Sequence, residues 1–337
     1  MLFEDFVWYW FETYRKPQES YTTAQTNERL IRIHILPFLG QMQIENIRTA
    51  DVQKLLNHCL TCGNCSCLKS VNTRGTALST NSVTKIRQIV CACFNRAITE
   101  GLVARNFAAE TVPIKIKTKR KTIPFTRDEK INFLNITYKH RYFIIYLFLF
   151  ATGCRRSEIL GLSWRNVDFV KSTIHICQGL ILQDGQPFLH LGTKTEQSDR
   201  NIPIPTKLME LLKKWKEQTL AEKEVAIQNG FEYKNDNDLV FVDKLGRCVK
   251  PNNFSRNFKD VIKNHNFPKD LHIHSIRHTW ATDLIQKGVP IVDIQFLGGW
   301  SRPDTLLRVY AHELKETQVT AINELFDDMS KDLVQKF

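Results

Sequence analysis

Three residues toward the C-terminal end are of types that together suit chemistry on a phosphate diester: His274, Arg277 and Tyr310. His274 and Arg277 are three residues apart, so on a helix they share a face. A guanidinium holds non-bridging phosphate oxygens through its planar fork. An imidazole moves protons near neutral pH, and a tyrosine hydroxyl can serve as nucleophile. Each residue also has an ordinary alternative. A single Tyr on an amphipathic helix is commonly a packing residue, and a His-x-x-Arg pair is commonly solvated surface. The reading turns on whether the rest of the chain supplies partners.

Two upstream stretches do so. In ATGCRRSE, residues 151–158, Gly153 gives a turn after an apolar helix, which sets Arg155 at the start of a new helix with Glu158 one turn on. Lys194 stands in Gly192-Thr193-Lys194-Thr195, just beyond a strand and before Arg200-Asn201-Ile202-Pro203-Ile204-Pro205. Alone it is a solvated turn lysine; beside a phosphate it could deliver a proton.

The elements that must position these residues follow from spacing. Residues 271–312 read as three short helices. The first begins at His274 and ends at Gly288-Val289-Pro290. The second covers residues 291–297 and breaks at Gly298-Gly299-Trp300, and the third covers residues 304–312. Ile174-His175-Ile176 and Phe188-Leu189-His190-Leu191 read as strands around Asp184-Gly185, a hairpin turn. Thr126 and Glu129 form a capping box where a second domain begins.

A chain of 337 residues exceeds one comfortable core, so two domains are expected. With 42% hydrophobic and 24% charged residues it has an ordinary globular composition. A formal net charge of +12 and a pI near 9.2 imply a polyanionic partner, nucleic acid ahead of membrane. The longest apolar run, YFIIYLFLFAT, is far short of the ~20 residues that cross a bilayer, so it reads as a buried helix and no membrane role is expected. The opening MLFEDFVWYW lacks the basic region of a secretory signal. Nine cysteines, an odd count, point to a reducing compartment, and a cytoplasmic location is expected.

The first 114 residues read as a helical domain. Phe3, Phe6, Val7, Trp10 and Tyr14 form one stripe. Thr49 reads as an N-cap of a helix over residues 50–59. A helix over residues 81–100 turns Val83, Ile86, Ile89, Val90 and Phe94 inward and Lys85, Arg87 and Arg96 outward, where they would suit a phosphate backbone or simply face water. Cys59, Cys62, Cys65 and Cys67 could bind zinc, or form a cysteine-rich loop without metal; a second paired-cysteine unit is missing. Residues 115–122, dense in Lys and Arg, read as a basic linker, and residues 123–337 as the second domain.

As a set, these motifs resemble the tyrosine recombinases, the integrase family of phages and conjugative elements. Thr152-Gly153-Cys154-Arg155 with Glu158 is similar to that family's first arginine box. Lys194 is similar to its hairpin lysine, and His274-Ser275-Ile276-Arg277-His278-Thr279 to its second box. Val309-Tyr310-Ala311-His312 resembles the nucleophile segment, and Leu297-Gly298-Gly299-Trp300 stands where most members have Leu-Gly-His. Strictly aligned, the His position is Gly299 and Trp300 is one residue on.

The resemblance implies a mainly α fold with a small β-sheet: a helical core-binding domain that clamps DNA, and an α+β catalytic domain. It implies a site-specific DNA recombinase working through a 3′-phosphotyrosine intermediate, with neither metal nor other cofactor. Arg155 and Arg277 would clamp the phosphate, and Tyr310 would attack it. Lys194 would protonate the leaving oxygen, and His274 would act as acid and base. Glu158 would orient the shell, and Trp300 would pack behind the phosphate and offer its indole N–H. The implied partners are double-stranded DNA at paired sites, three further copies in a homotetramer, and accessory DNA-bending or directionality proteins. The tail, residues 317–337, would pack onto a neighbouring subunit or onto its own domain. Because the core-binding pattern begins at Phe3, the expectation is a recombinase without arm-type DNA sites or a shortened form. A type IB topoisomerase-like enzyme and a DNA-binding regulator without catalysis are the rival readings.

Overall fold

The structure, a computed structural model, describes residues 1–64, 75–115, 122–191, 199–303 and 306. The chain divides into two compact units, residues 1–120 and 121–337. Helices dominate both, and the five strands found among the described residues lie in the second.

The first unit is built from α1 (Phe3–Trp10), α2 (Tyr21–Leu30), α3 (Leu36–Leu39), α4 (Thr49–Cys62) and α5 (Thr80–Thr99). Short π-helical turns, Phe11–Arg15 and Ile31–Ile35, extend α1 and α2. The α1 stripe is buried as its spacing predicts, with Phe3, Phe6 and Val7 fully covered and the Phe3 ring stacked on Phe94 at 6.0 Å. On α5 the inward residues Val83, Ile86, Ile89, Val90 and Phe94 are buried.

Three local expectations are revised. Arg48, not Thr49, occupies the N-cap of α4, because Asp51 reaches back to the Arg48 N–H while Thr49 donates to Glu110. Ser79 caps α5, which starts one residue earlier than its spacing suggests. Two of the three outward cations on α5 are tied to their own unit. Arg87 donates to Thr111 Oγ1 and the Ala109 carbonyl, and Arg96 lies over the Tyr14 ring at 3.7 Å and pairs with Glu100.

Of the four loop cysteines, Cys59 is buried in the core and Cys62 Sγ lies 3.1 Å from His58 Nδ1. Cys65, Cys67 and the basic run 116–121 lie outside the described residues. Asn64 bonds to Thr76 and Ala77, joining the two ends of that loop.

The second unit contains α6 (Arg127–Thr137), α7 (Phe143–Thr152), α8 (Arg156–Leu160), β1 (Val167–Asp168), β2 (Thr173–Ile176), β3 (Gln178–Gln183), β4 (Gln186–Leu191), β5 (Arg200–Pro203), α9 (Thr206–Gln228), α10 (Pro251–Asn264), α11 (Ile273–Gln286) and α12 (Ile291–Gly298). Thr126 and Glu129 cap α6 reciprocally, as their spacing predicts. The uncharged, mostly apolar α7 runs through a core rich in aromatic rings, where Phe133 meets Phe125, Tyr146, Phe150, Phe258 and Phe267. No helix among the described residues is long and apolar enough to cross a membrane.

Asp184 and Gly185 do form the hairpin turn, both at positive φ, which two-residue turns of this kind require. The pairing differs from the expected one, however. Residues 178–183 form the strand opposite β4, whereas Ile174-His175-Ile176 belong to a separate sheet ordered β1-β2-β5. The reason is the alternation in β2: Ile174 and Ile176 face the core and pair with β5, whose Ile202 faces it too.

Candidate active site

The site begins where α7 stops. Gly153 adopts the left-handed conformation at φ +62°, and a Cβ there would come within 2.2 Å of the Trp280 ring. The chain therefore turns sharply and sets Arg155 at the N-cap of α8. Glu158, one turn on, accepts from the Arg155 N–H at 2.8 Å and from Arg155 Nη1 at 2.6 Å. Its carboxylate is only 3% exposed, and a charge so buried needs close partners. Arg200, at the start of β5, supplies the other: Nη2 lies 2.9 Å and Nη1 3.4 Å from the two carboxylate oxygens. Burial alone would raise the Glu158 pKa, but Arg200 and then Arg155 outweigh it and hold the carboxyl below its usual range.

The C-terminus of α12 organises the rest. Gly299 ends that helix at φ +65°, leaving the last carbonyls without helical donors. Three consecutive carbonyls each accept from a different arginine. Leu297 accepts from Arg200 Nε at 2.7 Å, Gly298 from Arg277 Nη2 at 2.6 Å, and Gly299 from Arg155 Nη2 at 2.6 Å. The negative end of the helix dipole suits all three cations. Arg277 comes from α11, which packs on α7, and its Nη1 also donates to the Gly153 carbonyl at 2.8 Å.

Arg277 is 3% exposed, yet its Nε finds no acceptor among the described residues. Its guanidinium carbon sits 3.6 Å from the Trp300 ring centroid, and Trp300 in turn stacks near Trp280 at 6.3 Å. Trp300 thus covers the arginine with its ring face. Burial first, and Arg155 second, press the Arg277 pKa downward, though a guanidinium so placed remains a cation at neutral pH.

His274 and His278 lie one turn apart on α11, their rings 5.0 Å apart. His274 reaches solvent, but the protein packed around it, and then the charges of Arg277, His272 and Arg155, lower its pKa to about 4. Burial and the neighbouring histidines bring His278 to about 4 as well. Both are neutral at pH 7, so His274 is ready to accept a proton. Ser275 and Thr279 of the same motif are buried and structural: Ser275 accepts from the His272 N–H, and Thr279 accepts from the Phe125 N–H.

The structure therefore joins Arg155, Glu158, Arg277 and Trp300 directly and sets His274 one turn before Arg277. Lys194 and Tyr310 lie outside the described residues, as does the tail 317–337. Leu306, four residues before Tyr310, is buried with Trp280, Ala281, Ile285 and Ile294. Sequence reasoning missed Arg200. The signal was present, since Arg200, Ile202 and Ile204 alternate with exposed residues and share the buried face of one extended segment. Among the described residues no group of three or more His, Cys, Asp or Glu side chains is placed to hold a metal ion.

The comparisons with known proteins bear on family and fold. The phage integrase family matches residues 125–317, more than half of the chain, and its N-terminal SAM-like domain matches residues 2–60. A XerC-like tyrosine recombinase of Caldanaerobacter subterraneus is 30% identical over 268 residues, covering 74% of this chain and 66% of that protein. The ICEBs1 integrase of Bacillus subtilis is 26% identical over 306 residues, covering 90% of this chain and 77% of that one.

Among solved structures, the Tn1549 transposon integrase in complex with transposon right end DNA superposes with a TM-score of 0.74 at 20% identity, covering 96% and 99% of the two chains. A lambda integrase tetramer bound to a Holliday junction gives a TM-score of 0.65 at 15% identity, covering 90% and 75%. Motifs, fold and relatives converge: the chain belongs to the phage integrase family of tyrosine recombinases.

Proposed function

We propose that this recombinase cuts and rejoins double-stranded DNA at paired specific sites, integrating or excising a mobile genetic element. The observation that carries the reading is the pair Arg155 and Arg277. Both are locked onto adjacent carbonyls at the end of α12, and Arg277 Nε has no acceptor among the described residues. Two fixed cations with a spare donor form a preorganised receptor for a phosphate, and such groups stabilise charge that grows on its oxygens at the transition state.

In this reading Tyr310 forms a bond to phosphorus as the bond to the 5′-oxygen breaks, leaving a 3′-phosphotyrosine. His274, neutral at pH 7, takes the tyrosine proton, and Lys194 gives one to the departing 5′-oxygen. The covalent link retains the phosphodiester bond energy, so a 5′-hydroxyl from another strand reverses the step with no nucleotide cofactor or metal. Glu158 holds Arg155 in line, and Trp300 shields Arg277 from behind.

The net charge of +12 supports the DNA partner. The DNA-bound Tn1549 integrase supports action on a mobile element, and the lambda integrase tetramer supports a homotetramer on paired sites. Accessory DNA-bending or directionality proteins and a cytoplasmic location complete the proposal.

The test is to trap the purified protein on a library of suicide duplexes and sequence the DNA held covalently. Tyr310→Phe should abolish the adduct and leave DNA binding intact. An adduct that persists in that variant would remove Tyr310 as nucleophile.

A further inference from the structure

Of the three arginines on the α12 carbonyls, Arg200 has no exposed side-chain surface, and its Nε and both Nη atoms are all committed to protein acceptors. It cannot reach a DNA phosphate without the site coming apart. It nonetheless holds both groups that fix the two candidate phosphate-binding arginines. Its Nη atoms grip the Glu158 carboxylate, which in turn grips Arg155 through backbone and side chain. Its Nε grips the Leu297 carbonyl, the first of the three whose next two members hold Arg277 and Arg155. Gly299 is pressed so close that a Cβ there would lie 2.7 Å from Arg200 Nη1.

We infer that Arg200 is a positioning residue for strand cleavage, acting on Arg155 through Glu158 and on both arginines through the end of α12. The inference rests on the function proposed above. A planar fork is required for the task, since one side chain must satisfy a carboxylate and a carbonyl in different directions at once. A lysine carries the charge but delivers it to one point. Without Arg200 the Glu158 charge is buried against Arg155 alone, and the last turn of α12 loses a hydrogen bond that ties it to β5. Displacements of about 1 Å in groups that align a reacting centre cost on the order of 100-fold in rate.

The experiment uses full-length protein and a suicide duplex carrying the sequence recovered from the covalent trap. Single-turnover adduct formation is measured at saturating DNA, with DNA affinity and thermal unfolding measured beside it. Arg200→Met should slow adduct formation about 100-fold while moving DNA affinity less than about 3-fold. Arg200→Lys should fall between it and wild type. A purely structural role would not predict the next readout. In a Glu158→Gln background, Arg200→Met should cost much less than it does alone, because the path through Glu158 is already cut.

A folded Arg200→Met protein that cleaves at the wild-type rate overturns the inference, as does a loss that is equally large in the Glu158→Gln background. If Arg200→Met does not fold, the comparison passes to Arg200→Lys, and a wild-type rate there overturns the inference. A wild-type protein that forms no adduct on any duplex overturns the functional proposal and this inference with it. A wild-type adduct with an unaffected Arg200 variant overturns this inference alone.

Discussion

The guanidinium of Arg277 lies over the face of Trp300, its central carbon 3.6 Å from the ring centroid. Most members of the family carry a histidine near this point, which suggests a hydrogen-bond donor, and the sequence reading assigned that task to the indole N–H. The stacked geometry favours a different contribution. A ring face against a desolvated guanidinium attracts the cation and prevents its collapse into other contacts. Trp300→Phe keeps a face and loses the N–H; Trp300→Ala loses both. The expectation is near wild-type adduct formation for Trp300→Phe and a loss of about 10-fold for Trp300→Ala. Equal losses in the two variants would return the role to the N–H.

Gly298 makes the stack possible. A Cβ on it would lie 1.8 Å from the Trp300 ring, far inside any real contact. The Gly298 backbone is helical, so a Gly298→Ala change is not opposed by its torsion angles, and helix propensity alone would favour it. Gly298→Ala should therefore displace Trp300 from Arg277 with little change in helix content. Near-ultraviolet circular dichroism should register the moved indole, and cleavage should fall at least as far as in Trp300→Ala. An unchanged aromatic signal would contradict the stacking argument.

The two neutral histidines of α11 give stability a defined pH dependence. His274 and His278 both titrate near 4 in the folded protein, against 6.5 for the ordinary group. Between those values the unfolded chain binds protons that the folded chain does not, so acid favours unfolding. Their contribution is fully present above pH 6.5 and is lost as pH falls toward 4. Thermal midpoints should drop across that window, and the drop should be shallower in His278→Asn than in wild type. His274 should contribute less to the slope, because it is the more exposed of the two. A slope unchanged in His278→Asn would mean that other groups govern the acid limb.

The motif residues were legible because their chemistry and spacing are local. An Arg three residues before a Glu, after a glycine that stops an apolar helix, can be read directly as a capped turn, and Arg155 and Glu158 form it. Arg277 was legible through its distance from His274. The meeting of Arg155 with Arg277 was not, because it depends on the end of α12, which is distant from both in sequence. Arg200 was passed over for a related reason. A charged residue on the buried face of an extended segment reads as a loop residue until its carboxylate partner is known, and Glu158 is 42 residues away. The strand pairing failed differently. Gln178 gave β3 a polar beginning, but its amide is buried and bonded to the Gly161 carbonyl and Ser163 Oγ, contacts that no sequence pattern displays. On α5, of the charges that read equally as a phosphate-facing or a solvated face, Arg87 and Arg96 are occupied at home by Thr111, Tyr14 and Glu100.

The core beneath the site makes a last prediction, about stability. Phe133 is fully buried and meets five aromatic rings at centroid distances from 5.0 to 6.1 Å. Two of those rings, Phe125 and Tyr146, connect it to the active site. Phe125 donates its N–H to Thr279 on α11, and Tyr146 lies on α7, the helix that ends at Gly153. Phe133→Ala removes a ring from a close-packed cluster whose members cannot all move inward, and such truncations cost about 3–5 kcal/mol. Phe133→Leu leaves a smaller void and should cost clearly less. Denaturant unfolding checks both: the midpoint should move far for Ala and modestly for Leu, with the slope unchanged if the second unit still unfolds as one transition. Because α7 and α11 share this core, cleavage in folded Phe133→Ala should fall as well, while DNA affinity holds better. A variant with wild-type stability would mean that the aromatic cluster repacks freely and does not fix the helices that carry Arg155 and Arg277.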